Sequence, residues 1–188
     1  MVKGGTLYRS FTKWQQRRAA KPSATDQRTS RAPGVDTVTT SETTPGNGTV
    51  GIVSRVLIAD AEWGMDHIRI ERTGTDDVIV RINDFTSPTF DMDDFDGVRL
   101  FGDAGRDFIE ILDPLTSPLV RSVTLEGGNG DDTIIGGSAG NDSMVGGDGN
   151  DTFDAEDGAG GDTVSGGNGT DTAAVDTGDT HSGVETVT

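Results

Sequence analysis

From Gly127 onward the chain repeats one short phrase: a glycine pair, a variable residue, a third glycine, a second variable residue, then Asp and a three-residue run with an apolar centre. Aligned on the acid, the segments are Gly127-Gly-Asn-Gly-Asp-Asp132-Thr-Ile134-Ile, Gly136-Gly-Ser-Ala-Gly-Asn-Asp142-Ser-Met144-Val, and Gly146-Gly-Asp-Gly-Asn-Asp151-Thr-Phe153-Asp. Two more follow, Ala155-Glu-Asp-Gly-Ala-Gly-Gly-Asp162-Thr-Val164-Ser and Gly166-Gly-Asn-Gly-Thr-Asp171-Thr-Ala173-Ala. Their lengths are 9, 10, 9, 11 and 9 residues, and every insertion falls before the Asp, inside the Gly-rich turn. A period this short leaves room for one turn and one three-residue strand, so a single unit buries almost nothing and must stack on its neighbours. Each nonapeptide is then half of one coil, with Ile134, Met144, Phe153, Val164 and Ala173 as its inward column.

The turn chemistry is equally constrained. Glycines at the first, second and fourth positions permit positive φ, so successive carbonyls can turn toward one point with no Cβ in the way. Asp at the sixth position adds charge. Carboxylate and carbonyl oxygens are hard ligands that suit Ca²⁺ rather than Zn²⁺ or copper, and the array contains neither Cys nor His. With 31% hydrophobic residues and a net charge of -17, the chain sits near the border where burial fails to offset ordering entropy. The five inward side chains are too few to hold the array alone, so metal binding and folding are expected to be one event.

These segments resemble the haemolysin-type (RTX) calcium-binding nonapeptide, G-G-x-G-x-D-x-U-x with U a large apolar residue. The resemblance is strong over Gly127 to Ala174 and weak over Val98 to Glu126, where Gly102-Asp-Ala-Gly-Arg-Asp107-Phe-Ile109 reads as a version with a one-residue insertion. It implies an all-β fold, a right-handed parallel β-roll or β-helix with two repeats per coil. Stacked turns then pair Asp132 with Asp151 and Asp151 with Asp171 on one edge, and Asp142 with Asp162 on the other. About three inter-turn Ca²⁺ sites follow from such pairing. The family's carbonyl donors map onto Gly128, Gly130, Gly146 and Asp148, then Gly147, Gly149, Gly166 and Asn168. Gly183-Val-Glu-Thr-Val187 resembles a capping strand. The resemblance also implies export by a type I system, without a cleaved N-terminal signal peptide.

Charge divides the chain into three blocks, which match its expected domains. Residues 1–48 form a basic arm that is expected to be disordered: up to Gly34 it holds eight Lys or Arg and one acid, and from Lys21 it offers almost nothing to bury. Leu7, Phe11 and Trp14 among those bases can form a short amphipathic helix making weak contact with an anionic membrane surface. Residues 49–121 alternate apolar and polar positions in short runs such as His67-Ile-Arg-Ile70 and Phe108-Ile-Glu-Ile111, expected as irregular β-rungs that cap the roll. Residues 122–188 carry fourteen acids and no Lys or Arg, which disfavours any nucleic-acid partner and concentrates cations. Nothing approaches the roughly 18 apolar residues of a transmembrane segment, and the absence of Cys removes disulfides and thiolate chemistry.

Competing motifs carry less. Gly136-Gly-Ser138-Ala-Gly140 matches the G-x-S-x-G nucleophile elbow, but an elbow needs a strand before it and a helix after it. His67 reads as an outward strand residue, His181 as an exposed loop residue, and neither lies in H-E-x-x-H. Asp91-Met-Asp-Asp-Phe-Asp96-Gly97 lacks the ligand spacing of an EF-hand and reads as a solvated acidic turn. The column Thr133, Ser143, Thr152, Thr163 and Thr172 is ordinary β-propensity rather than an ice- or sugar-binding face. The expected function is therefore calcium-ion binding by a non-catalytic, extracellular module. The alternative is the calcium-binding region of a larger secreted hydrolase, protease or lipase, or of an adhesin.

Overall fold

A computed structural model of the chain describes residues 48–61, 63–112, 122–138, 141–158 and 160–188. The basic arm expected over 1–48, Gly48 excepted, lies outside the described residues, as does 113–121 within the middle block. The described residues are all-β, with one 3₁₀ turn at Met92–Asp94. In chain order the first strands are β1 (Thr49–Val53), β2 (Val56–Asp60), β3 (His67–Arg72), β4 (Asp77–Ile82), β5 (Phe85–Thr86) and β6 (Phe90–Asp91). Then come β7 (Gly97–Ala104), β8 (Phe108–Ile111), β9 (Ser122–Asn129), β10 (Thr133–Ile135) and β11 (Asp142–Asp148). The last are β12 (Thr152–Ala155), β13 (Thr163–Asn168), β14 (Thr172–Val175), β15 (Thr180–Ser182) and β16 (Thr186–Val187).

From β7 to β16 the chain alternates between two sheets, and each strand pairs in parallel with the strand two ahead. One sheet aligns Leu100, Leu125, Met144 and Val164; the other aligns Ile109, Ile134, Phe153 and Ala173. Period-two alternation sends these residues inward and their neighbours outward, and all eight are buried. The expected inward column is thus continuous across both sheets and extends upstream of Gly127.

The sheets are mixed rather than wholly parallel. β2 pairs in parallel with β7 and β3 with β8, but β1 turns back on β2, and β4 turns back on β3, as antiparallel hairpins. The first reversal is a two-residue loop, Ser54 (φ 50) and Arg55 (φ 62). Positive φ at both central positions is the geometry whose twist suits a tight hairpin. Gly or Asn normally signals it, which is why the expectation of irregular rungs missed this turn. The acidic stretch Asp91–Gly97 is not merely solvated: Met92 and Phe95 are buried and close the core beside Phe90, while Asp93 and Asp94 stay in water. Arg55 Nε lies 3.0 Å from Asp96 Oδ2 and ties this plug to the first hairpin.

Two further readings need correction. Gly102–Glu110 contains no insertion, because β7 pairs Asp103 with Gly128 and Ala104 with Asn129, and β8 pairs Phe108 with Thr133. It is a full nonapeptide whose second glycine is replaced by Asp103. His181 lies within strand β15, exposed, rather than in a loop. The cap is therefore two short strands, β15 on β13 and β16 on β14, of which only the second was expected.

Ile109 fills the shared core between β3 and β10, so Ile109→Ala is expected to cost about 2–5 kcal/mol, against less than about 0.5 kcal/mol for the outward Ser143→Ala. Urea unfolding of both variants in saturating calcium checks the contrast.

Candidate metal centre

The parallel register stacks the sixth-position acids, and the backbone binds them to one another. Along one edge, Asp66 N–H donates to Asp107 Oδ1 (2.8 Å), Asp107 N–H to Asp132 Oδ1 (2.8 Å) and Asp132 N–H to Asp151 Oδ1 (2.9 Å). Asp151 N–H then donates to Asp171 Oδ1 (2.8 Å), and Asp171 N–H to Glu185 Oε2 (2.7 Å). Along the other edge, Asp142 N–H donates to Asp162 Oδ1 (2.6 Å) and Asp162 N–H to Asp179 Oδ1 (3.0 Å). All the expected pairs, Asp132 with Asp151, Asp151 with Asp171 and Asp142 with Asp162, are neighbours in these ladders.

The ladders extend beyond the expected ligands, to Asp66 and Asp107 upstream, the latter read only as the acid of a weak repeat, and to Asp179 and Glu185 downstream. A signal for the last two was present. An acid followed by Thr opens most strands of the array, and Asp179-Thr180 and Glu185-Thr186 repeat that dipeptide outside any Gly-rich turn. Asn83 closes the upstream end, its Nδ2 donating to Asp66 Oδ1 at 2.5 Å.

Asp66, Asp107, Asp132, Asp151, Asp162 and Asp171 each use one carboxylate oxygen in this way and leave the other over. The Oδ2 atoms of Asp66, Asp107, Asp132, Asp142, Asp151, Asp162 and Asp171 are buried without a hydrogen-bond partner. A buried acceptor left unmade costs about 1–3 kcal/mol, more when charged. Burial, reinforced by neighbouring carboxylates, pushes Asp142 up to about 8, Asp132 to about 7 and Asp107 to about 6. Burial raises Asp151 and Asp162 as well. Burial thus disfavours the charged form of these acids, and a cation beside them would favour it.

The glycines show how closely the turns approach. A Cβ on Gly147 would overlap the Gly128 carbonyl oxygen, and one on Gly149 the Gly130 oxygen; both positions also have left-handed φ, 118° and 142°. A Cβ on Gly146 or Gly166 would fill the space beside the free Oδ2 of Asp151 or Asp171. The remaining expected donors have a second task. The carbonyls of Asp148 and Asn168 accept the N–H of Gly130 (2.6 Å) and Gly149 (2.8 Å), and Asn168 Nδ2 donates to Asp148 Oδ1 (2.7 Å). Among the described residues, no three His, Cys, Asp or Glu side chains converge on a point. A cation on these edges would therefore draw on two carboxylates and on main-chain carbonyls, a hard-oxygen set that fits Ca²⁺.

Stacked Gly-rich turns with an acid at each corner, joined by short parallel strands, define a calcium-binding repeat array. Residues 126–160, 137–173 and 155–179 match the RTX calcium-binding nonapeptide repeat, so the stretch 126–179 is an RTX repeat array. No curated protein and no solved structure matches the chain.

Two outcomes are expected. Gly147→Ala combines backbone strain with overlap on Gly128 and should unfold the array or raise its calcium requirement, whereas Gly158→Ala, strained at φ 83 but with a Cβ that meets nothing within 4 Å, should cost less; calcium-dependent circular dichroism of both variants checks this. For the metal-free chain the raised acids set the sign: their stabilisation is fully present below the ordinary Asp value of 3.8 and is lost as pH rises through about 7 and 8. In chelator, β signal should fall between about pH 4 and pH 8.5, and saturating calcium should suppress the fall.

Proposed function

We propose that residues 122–188 form a right-handed parallel β-roll that binds about three Ca²⁺ ions between stacked turns and acts as a non-catalytic, calcium-dependent module of an exported protein. The observation that carries this reading is the line of buried sixth-position acids: Asp132, Asp151, Asp162 and Asp171 each have one oxygen bound to the adjacent coil and the other unpartnered, and Asp142 donates its N–H to Asp162 and has an unpartnered Oδ2. Asp132, Asp151 and Asp171 on one edge, and Asp142 and Asp162 on the other, supply charge. Carbonyls of Gly128, Gly130, Gly146, Gly147, Gly149, Gly166, Asp148 and Asn168 supply neutral oxygens. Bound calcium contributes positive charge where the fold concentrates negative charge, and the glycines contribute the space for it.

RTX repeats are calcium-binding elements of proteins that are typically secreted, and sites of this kind are tuned to extracellular calcium near the millimolar range. Low calcium inside the cell would leave the array unfolded before export, and high calcium outside would fold it, because metal binding and folding are linked. No helix among the described residues is long and apolar enough to cross a membrane.

The hydrolase alternative gains little support. Ser138 is exposed in a cavity of about 300 Å³ with Asp154, Glu156 and Asp157. His67 is engaged instead with Glu110, Nε2 to Oε1 at 2.7 Å, and His181 lies on the end strand. No histidine is among the described residues that line the cavity with Ser138.

Titration from chelator to about 10 mM calcium, followed by far-ultraviolet circular dichroism, should show a cooperative gain of β signal. Asp151 borders two stacked pairs, so Asp151→Ala should move the midpoint upward by about tenfold or more, roughly 1.4 kcal/mol. A β signal unchanged across the calcium range would refute the coupling of folding to metal.

A further inference from the structure

We infer that the array has one more cation site than its matched repeats provide, between the turns Gly102–Asp107 and Gly127–Asp132. Gly102–Glu110 lies outside the RTX match, which begins at residue 126. The inference rests on the calcium reading of the matched turns, and it extends that reading to a segment in which the repeat pattern is broken.

Geometry makes the two turns equivalent to the matched ones. Asp107 N–H donates to Asp132 Oδ1 at 2.8 Å, as Asp132 N–H does to Asp151 Oδ1 at 2.9 Å. Gly105 N–H donates to the Asn129 carbonyl at 2.8 Å, as Gly130 N–H does to that of Asp148 at 2.6 Å. Asp107 is 2% exposed, and its Oδ2 is buried without a hydrogen-bond partner, as is that of Asp132. A Cβ on Gly102 would overlap both this Oδ2 and the Gly127 carbonyl oxygen; a Cβ on Gly146 would overlap Asp151 Oδ2 and the Gly166 carbonyl oxygen in the same way. The carbonyls of Asp103 and Gly105 abut Gly128 and Gly130, as those of Gly128 and Gly130 abut Gly147 and Gly149.

The departure at the second position does not break the turn. Asp103 holds φ 69, in the left-handed region where Gly128 and Gly147 also have positive φ. Asp tolerates that region better than most residues with a Cβ, because its short side chain can hydrogen-bond locally. The backbone therefore keeps its carbonyl orientation, and the substitution adds an acid rather than removing a ligand. A hard, oxygen-seeking divalent cation is the ligand class, with the acids Asp107 and Asp132 and the main-chain carbonyls of the two turns as its donors.

Isothermal titration of the full chain with CaCl₂ in chelator-stripped buffer, wild type against Asp107→Asn, tests this. The expected result is about one ion fewer per chain for Asp107→Asn, with the remaining uptake intact. Equal uptake by both proteins overturns the inference and leaves the matched array as a calcium binder. No uptake by wild type overturns the calcium reading itself. Should Asp107→Asn fail to fold, amide exchange on the wild type decides: slowing by calcium at Gly105, Asp107 and Phe108 supports the site, and slowing confined to residues from 127 onward overturns it.

Discussion

A backbone N–H donated to the carboxylate of the next coil is the interaction on which the rest of the structure depends. It uses one Asp oxygen and buries the other, so each coil is joined to the next by a bond that creates an electrostatic debt. The bond fixes register, because only a short side-chain oxygen at the same position of the stacked turn can accept it. Once register is fixed, the period-two strands deliver Ile134, Phe153 and Ala173 to one wall of the core and Leu125, Met144 and Val164 to the other. Packing here follows from the turns. In most sheets the dependence runs the other way, with the buried face selecting the register.

The two ends of the fold are held by different means. At the upstream end, Leu57, Ile68, Ile70, Val80, Ile82, Phe90, Met92 and Phe95 are buried together beneath two antiparallel hairpins. That is an ordinary apolar core, stabilised at roughly 1.5–3 kcal/mol per large side chain. Toward the downstream end the inward residues include Val164 and Ala173, and the last strands, β15 and β16, are exposed along their length. Apolar burial falls along the chain while acids persist at every turn. Residues 49–112 supply an apolar core of their own, joined to the following strands through the pairing of β2 with β7 and β3 with β8.

How much of this could be read from the sequence follows from what each feature demands of residue type. The Gly-rich turns and their inward column were legible because both need specific residues at fixed spacing. The pairing of Asp132, Asp151 and Asp171 was legible through resemblance to the RTX repeat. Gly102–Glu110 was half-legible: Asp103 adopts a glycine conformation without being glycine, and that one exchange concealed an otherwise complete repeat. The Ser54–Arg55 turn was concealed for the same reason. Asp179 and Glu185 were obscure for another, since each terminates a ladder without belonging to a Gly-rich turn. What reveals them is the strand that follows, whose pairing places the preceding acid opposite Asp162 or Asp171.

The outer positions of the same turns argue that the stacking of acids at position six is specific. At the third position the stack reads Ala104, Asn129, Asp148, Asn168, and at the fifth Arg106, Asp131, Asn150, Thr170. Neither column places one acid directly on another. An amide or hydroxyl residue follows each acid: Asn150 donates from its main chain and its side chain to Asp131 Oδ1, and Asn168 donates to Asp148 Oδ1. Where water and side-chain freedom are available, the chain separates its charges. At the sixth position, where the acids are buried and repulsion is least screened, it stacks Asp66, Asp107, Asp132, Asp151 and Asp171 without interruption. An amide at that position would make the same hydrogen bond without the repulsion, so what the acid adds is negative charge itself, and a buried line of negative charge is of use to a fold only in the presence of a cation.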